Sequence, residues 1–337
     1  MILATFAGAD GKALVGAVDA ARATVLDLAA AARRAGRDAA PFASMLALID
    51  GGDRALDGAR ALAERHAGDR DLMRPLAEIR LLSPVPEPRQ VRDFSVFPGH
   101  IRQAPVGMRR LATRVLGEAA ALAAFGPEHR ELPPVPPIYA SQPLYYKANR
   151  FSVIGTDQDV HWPRYSEYMD YELEFGIFIG KTALDVPAAK AREHIFGFAI
   201  FNDFSARDAQ MREMAGRLGP AKGKDFNGGN SIGPWIATRD EILDPYRLKM
   251  AARVNGETRS EGDSSAMLHS FEDMIAHVSR DETVYAGEFF GSGTMGNGCG
   301  LEQDRYLGDG DVVELEVERI GILRNRVLRQ APSSGAA

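Results

Sequence analysis

At 337 residues the chain exceeds an average domain without clearly amounting to two, and 45% hydrophobic with 26% charged residues excludes the disordered and fibrous classes. Forty Lys plus Arg against 46 Asp plus Glu leave a net charge of −6 with no basic run, so nucleic acid is not an expected partner. No basic leader precedes a long apolar core, and no stretch approaches the roughly 18–20 apolar residues of a membrane span, which points to a cytoplasmic protein without a membrane partner.

Residues 1–85 have a texture of their own. Ala, Leu and Arg dominate from Asp19 to Ala67, and the strings AVDAARATVLDLAAAARRAG and PFASMLALIDGG carry helical spacing with Gly36 and Gly51 as stops. This predicts a small helix-rich N-terminal domain opened by a strand or two. Three prolines in LLSPVPEPRQVRDF mark a linker from about Leu82 to Gln90. A helix over PVGMRRLATRVLGEAAALAAFG comes next, then a second proline-rich stretch. From about Tyr139 short β-like runs follow one another, among them RFSVIG, YELEFGIFIG, HIFGFAIFND, PWIAT, EFFGSGT and DVVELEVERIG. Val313, Leu315 and Val317 alternate with Val312, Glu314, Glu316 and Glu318, the mark of strands with one solvated face. The fold class is therefore α+β: a mainly β domain over 86–330, built as a mixed sandwich or roll, preceded by the helix-rich unit over 1–85.

The chemistry concentrates in two strings. In YMDYELEFGIFIGK, Glu172 and Glu174 stand two residues apart inside an apolar strand pattern, so both carboxylates share one face. Two buried carboxylates repel each other and lose hydration unless a cation compensates them; a solvated strand edge carrying two acids is the plainer alternative. In GFAIFNDFSARDAQ, an apolar strand ends at Asp203 and turns into a polar segment carrying Arg207 and Gln210, which share one face of a helix. The plainer reading here makes Asp203 a helix N-cap and Arg207 its intrahelical partner. The single cysteine, Cys299, excludes a disulfide framework and a zinc site built from several thiolates. Three carboxylates without sulfur favour a hard divalent cation, Mg²⁺ first, then Mn²⁺ or Ca²⁺. GSGTMGNGCG follows a strand and leads to another, so it does not read as a phosphate-cradling loop.

These strings resemble the fumarylacetoacetate hydrolase family. DYELEFGIFIGK looks like its acidic strand, FNDFSARDAQ like its Asp-(x)₃-Arg-(x)₂-Gln segment, GPAKGKDFNGGNSIGPWIAT like its Gly-Lys-x-Phe loop and Gly-Pro-Trp strand, and FFGSGTMGNG like its Ser-Gly-Thr loop. The resemblance covers roughly Arg89 to Val327. It implies Glu172, Glu174 and Asp203 as metal ligands. Asp93 joins them as a fourth, because larger members place an aspartate seven residues before their catalytic histidine, as Asp93 stands before His100. It further implies Lys224, Arg207 and Gln210 as substrate or oxyanion contacts, and Tyr146 and Thr294 as substrate contacts. Smaller members carry His-x-x-Glu, but here the string is His100-Ile-Arg-Gln103, so the resemblance pairs His100 with Glu302, the glutamate that larger members use. The other six histidines have no motif support.

The activity implied is metal-dependent hydrolysis of a carbon–carbon bond in a β-diketone or acylpyruvate-type 2-oxo acid, the kind of step met in aromatic catabolism. His100, held by Glu302, would activate water; a metal would serve as Lewis acid; Lys224 with Arg207 and Gln210 would steady the oxyanion. A decarboxylase, tautomerase or isomerase of a 2-oxo acid or sugar-derived keto acid is the alternative on the same metal site. An inactive binder of small carboxylates stands further off, and a carboxylate-cluster phosphatase or nuclease would need paired metals. Family members usually form homodimers, so a homodimer is expected by resemblance alone.

Overall fold

The computed structural model describes residues 1–129 and 131–330. The chain opens with strands β1 (Ile2–Ala7), β2 (Ala13–Asp19), β3 (Thr24–Asp27) and β4 (Met73–Pro75), with helices over Leu28–Arg34, Met45–Asp50 and Gly52–Arg65 between the last two. Strand β5 (Val91–Phe94) leads into a helix over Pro98–Leu116 and a second over Glu118–Phe125. Then come β6 (Tyr145–Ala148), β7 (Val153–Ile154), β8 (Val160–Trp162), β9 (Met169–Asp170), β10 (Leu173–Ile179), β11 (Ile195–Asp203) and β12 (Ser205–Ala206). A helix over Arg207–Met214 precedes β13 (Asn230–Thr238), β14 (Lys249–Val254) and β15 (Glu257–Asp263); a helix over Phe271–Val278 precedes β16 (Phe289–Gly291), β17 (Val312–Val317) and β18 (Gly321–Arg329).

Among the described residues, eleven strands share one sheet in the order β4-β3-β2-β1-β13-β11-β10-β16-β5-β6, with β7 paired to β13. A five-stranded sheet, β15-β14-β17-β18-β8, packs against it. One apolar core fills the space between the sheets, joining Phe175, Ile177, Phe198 and Phe290 of the large sheet to Met250, Val313, Leu315 and Leu323 of the small one. This is the sandwich the alternating strand patterns predict; β17 buries Val313, Leu315 and Val317 and leaves the intervening residues half-exposed.

The N-terminal residues depart from the helix-rich unit expected there. They supply four strands as well as helices, and β1 hydrogen-bonds β13 antiparallel, Ile2 opposite Ala237, so one sheet runs from the N-terminal hairpin into the acidic strands. Their helices lay Leu48, Ile49, Ala59 and Leu62 on the large sheet's other face, against Phe178, Phe201 and Phe289. Short apolar runs such as ILATFA and ALVGAVD satisfy strand and helix patterns alike, so periodicity does not separate the two. The expected helix from Pro105 to Gly126 is also two helices. The first begins earlier, at Pro98, and the chain breaks at Gly117, whose φ of 84° lies in a region an L side chain rarely adopts.

Candidate active site

The carboxylates converge at one end of the large sheet because three of four adjacent strands deliver them, β5, β10 and β11, with β16 between β10 and β5. β10 is buried on both faces, and Glu172 and Glu174 point to the same side of it. Its antiparallel neighbour β11 ends on Asp203, which lies opposite Asn230 of β13. On the other flank β16 pairs with β10 and runs parallel to β5, setting Gly291 beside Asp93. Asp93, Glu172, Glu174 and Asp203 each offer an oxygen within 4.8 Å of the others, and all four are buried. The solvated-edge reading of the glutamates therefore fails. So does the N-cap reading of Asp203: the helix that follows is preceded by Ala206, and Asp203 belongs to the strand.

Two buried cations answer these acids. Lys224 Nζ lies 2.7 Å from Glu172 Oε2 and 2.6 Å from Asp203 Oδ2. Arg207 reaches Asp170 through Nε at 2.8 Å, Glu172 through Nη2 at 2.8 Å and Gln210 through Nη1 at 2.9 Å. Burial opposes charge on Glu172, yet Lys224 and then Arg207 overcome it and hold its carboxyl well below the usual range. Asp203 has only one of these cations; burial pushes its carboxyl up to about 6, with Lys224 offsetting part of the effect. Glu174 and Asp93 have neither, and burial followed by repulsion from the neighbouring carboxylates drives both well above their ordinary values.

Polar atoms around the nest are aimed at it. Tyr146 donates its hydroxyl to Asp203 Oδ2 at 2.5 Å, Thr294 donates to Glu174 Oε1 at 3.3 Å, and the Gly293 amide donates to Glu174 Oε2 at 3.0 Å. Asp93 Oδ1 and Asp203 Oδ1 are buried and have no hydrogen-bond partner. Orphaned carboxylate oxygens in an all-oxygen cluster are what a hard divalent cation would satisfy, so the residues fit such an ion.

The second centre lies on the first turn of the helix over Pro98–Leu116. His100 Nδ1 stands 3.1 Å from Glu302 Oε1, on the short helix Gly300–Gln303, and Cys299 Sγ is 3.9 Å from the same nitrogen. His100 shares a cavity of about 310 Å³ with Asp93, Tyr146, Glu172, Asp203, Gln210, Lys224 and Thr294. All eleven residues singled out in the sequence thus gather in one place, with Glu174, Arg207 and Glu302 backing the cavity wall.

Asp170 escaped the sequence reading. Fully buried, it accepts from the Gly300 amide at 2.7 Å and the Leu301 amide at 2.8 Å while pairing with Arg207. It therefore pins the start of the helix that carries Glu302 to the guanidinium beside Glu172. Its signal was present, since Asp170 precedes Glu172 and Glu174 in the same two-residue alternation.

Comparison with known proteins agrees with this arrangement. The sequence profile of the fumarylacetoacetate (FAA) hydrolase C-terminal family matches residues 119–328. A human mitochondrial oxaloacetate tautomerase, FAHD2A, is 35% identical over 196 residues, 58% of this chain and 60% of that protein; the chain thus spans less than two thirds of that relative's length. The oxaloacetate tautomerase YisK of Bacillus subtilis is 28% identical over 289 residues, covering 84% of this chain and 86% of that one. Among solved structures, fumarylacetoacetate hydrolase from psychrophilic Exiguobacterium antarcticum superposes with a TM-score of 0.70 at 26% identity, over 98% of this chain and all of that one.

Proposed function

Because this chain belongs to the fumarylacetoacetate hydrolase family, we propose that it is a divalent-metal-dependent tautomerase or isomerase of a 2-oxo acid, with Mg²⁺ or Mn²⁺ as the ion. The observation that carries the reading is one cavity holding both the four-carboxylate nest and a histidine oriented by Glu302. Relatives bearing the tautomerase name support it over carbon–carbon hydrolysis. An ion held by Asp93, Glu172, Glu174 and Asp203 would polarise the 2-oxo group and so acidify the protons on C3.

The chain's own groups supply the rest. Keto–enol exchange moves one proton between C3 and the oxygen on C2, with no net gain or loss. Glu302 engages His100 Nδ1 and leaves Nε2 as the ring nitrogen that exchanges the proton at C3; imidazole suits this because its ordinary pKa lies near neutrality. Lys224 and Arg207 balance the negative charge that gathers on the oxygen side, and Tyr146 fixes the orientation of Asp203. Hydrolysis of an acylpyruvate is the second reading, favoured by the same dyad acting on water and by the likeness to the Exiguobacterium hydrolase.

The test follows deuterium uptake at C3 of oxaloacetate and acylpyruvates by NMR in the Mg²⁺-loaded protein, alongside release of cleaved acids. Exchange without cleavage, slowed roughly 10²–10⁴-fold in His100→Asn, is the expected outcome. Full exchange rates in that variant would remove His100 from the proton path, and cleavage as the main event would favour the second reading.

A further inference from the structure

Cys299 takes no part in the proposed reaction, yet it stands against the pair that moves the proton. Its Sγ is 3.9 Å from His100 Nδ1, the nitrogen that lies 3.1 Å from Glu302 Oε1, and the three potential ligand atoms all fall within 4.8 Å of one another. A tetrahedral zinc ion, bonded at about 2.0–2.1 Å to nitrogen and oxygen and about 2.3 Å to sulfur, sets N···O about 3.3 Å and N···S about 3.6 Å apart. The separations observed lie close to both values, so an ion would need only small side-chain adjustments. Two of the donors already hold each other in place, because the Glu302 amide donates to Cys299 Sγ and the Cys299 amide donates to Glu302 Oε2 at 3.3 Å.

The donor set differs in kind from the carboxylate nest. One imidazole nitrogen, one sulfur and one carboxylate oxygen suit a borderline ion such as Zn²⁺, whereas Mg²⁺ keeps to oxygen. The charges that act most strongly on the sulfur are Glu302, Arg207, Asp170 and Glu172, three acids to one cation, a balance that favours a divalent cation. The sulfur is buried, and the His100 ring in front of it borders the acidic cavity. We propose that His100, Cys299 and Glu302 form a second, inhibitory metal site that takes Zn²⁺ and switches off proton exchange. Binding expels the thiol proton to water, since a coordinating thiol is deprotonated. The ion takes the Nδ1 lone pair, so the ring proton moves through water from Nδ1 to Nε2. A metal-bound neutral imidazole then presents Nε2 only as a donor, and it cannot accept the proton from C3. The inhibition rests on the reading of His100 as the proton-exchanging group; the site itself does not.

Cobalt separates the two ideas, because Zn²⁺ has a filled d shell and is spectroscopically silent. The full-length, Mg²⁺-saturated protein would be titrated with Co²⁺ while the thiolate-to-cobalt charge-transfer absorption is followed. The chain has a single cysteine, so that band reports Cys299 alone. A saturable band that Zn²⁺ displaces is expected, absent in Cys299→Ser, where serine keeps a side chain suited to the start of the short helix. In the C3 deuterium exchange assay with excess Mg²⁺, Zn²⁺ should stop the native protein, and Cys299→Ser should need at least about tenfold more, since even outer partners of a metal site are worth 10–100-fold in affinity. Cys299→Ala carries the same comparison should the serine variant fail to fold. No charge-transfer band in the native protein overturns the site. A band accompanied by equal zinc sensitivity in native and variant proteins overturns the inhibitory role and places the inhibiting ion in the carboxylate nest. A band in a protein that exchanges no proton at C3 supports the site and refutes only the proposed reaction.

Discussion

Burial holds the Asp203 carboxyl up to about 6 although Lys224 touches it, so near neutral pH the ion-free site keeps a charge it would rather neutralise. An acid whose folded pKa exceeds its unfolded value of about 3.9 binds more protons when folded. The ion-free protein therefore loses stability as pH rises from about 4 through 6, and Glu174 and Asp93, raised for the same reason, act in the same direction. A divalent ion held by these groups would reverse this, because it would bind the deprotonated carboxylates. Thermal melts with Mg²⁺ and with EDTA at pH 5 and pH 7 should show a distinctly larger metal-induced rise in Tm at pH 7. An equal rise at both values would mean that the ion does not bind through these groups. At this scale the sequence was informative: the Glu172–Glu174 alternation and the strand ending on Asp203 were legible as adjacent charges in apolar context. The pairing of Arg207 with Asp170 was not, because its two partners are far apart in the chain and the helix spacing suggested local ones.

The acidic strands approach closely because the strand between two of them, β16, ends on a residue without a side chain, Gly291. A Cβ on Gly291 of β16 would sit 2.6 Å from Asp93 Oδ1 and 2.9 Å from the Phe201 ring, so β16 serves as a spacer that lets the carboxylate of β5 reach those of β10. Gly291→Ala should cost about 1–3 kcal/mol through overpacking and weaken Mg²⁺ binding at least tenfold; calorimetry at fixed pH reads the second effect and denaturant titration the first. Unchanged Mg²⁺ affinity would show that Asp93 is not needed for the ion. The strand FFG was recognisable as β, yet its parallel pairing with β5 depends on segments almost 200 residues apart, information that short-range alternation does not hold. The break at Gly117 was missed for a similar reason: an Ala-rich pattern continues across it, and only the backbone angle reveals the stop.

The whole molecule is organised around one large sheet that begins in the N-terminal residues and ends beyond the site. The β1–β13 pairing and the shared apolar cluster make residues 1–85 a cover for strands that carry the chemistry. A truncation starting at Gln90 would bare the edge of β13 and the faces of Phe178, Phe201 and Phe289, and should be recovered mainly as aggregate in sedimentation assays; a soluble, Mg²⁺-binding fragment would show that the covering is dispensable. The catalytic half was legible because its motifs are short and local, whereas the N-terminal half depends on tertiary partners for its strands. One further consequence follows from the short tether between Phe94, where β5 ends, and Pro98, where the long helix starts. Asp93 lies on the strand just before that tether and His100 on the first helical turn just after it, so a shift of the strand is expected to reach the histidine. Ion occupancy at Asp93 and alignment of His100 against Glu302 are therefore expected to vary together.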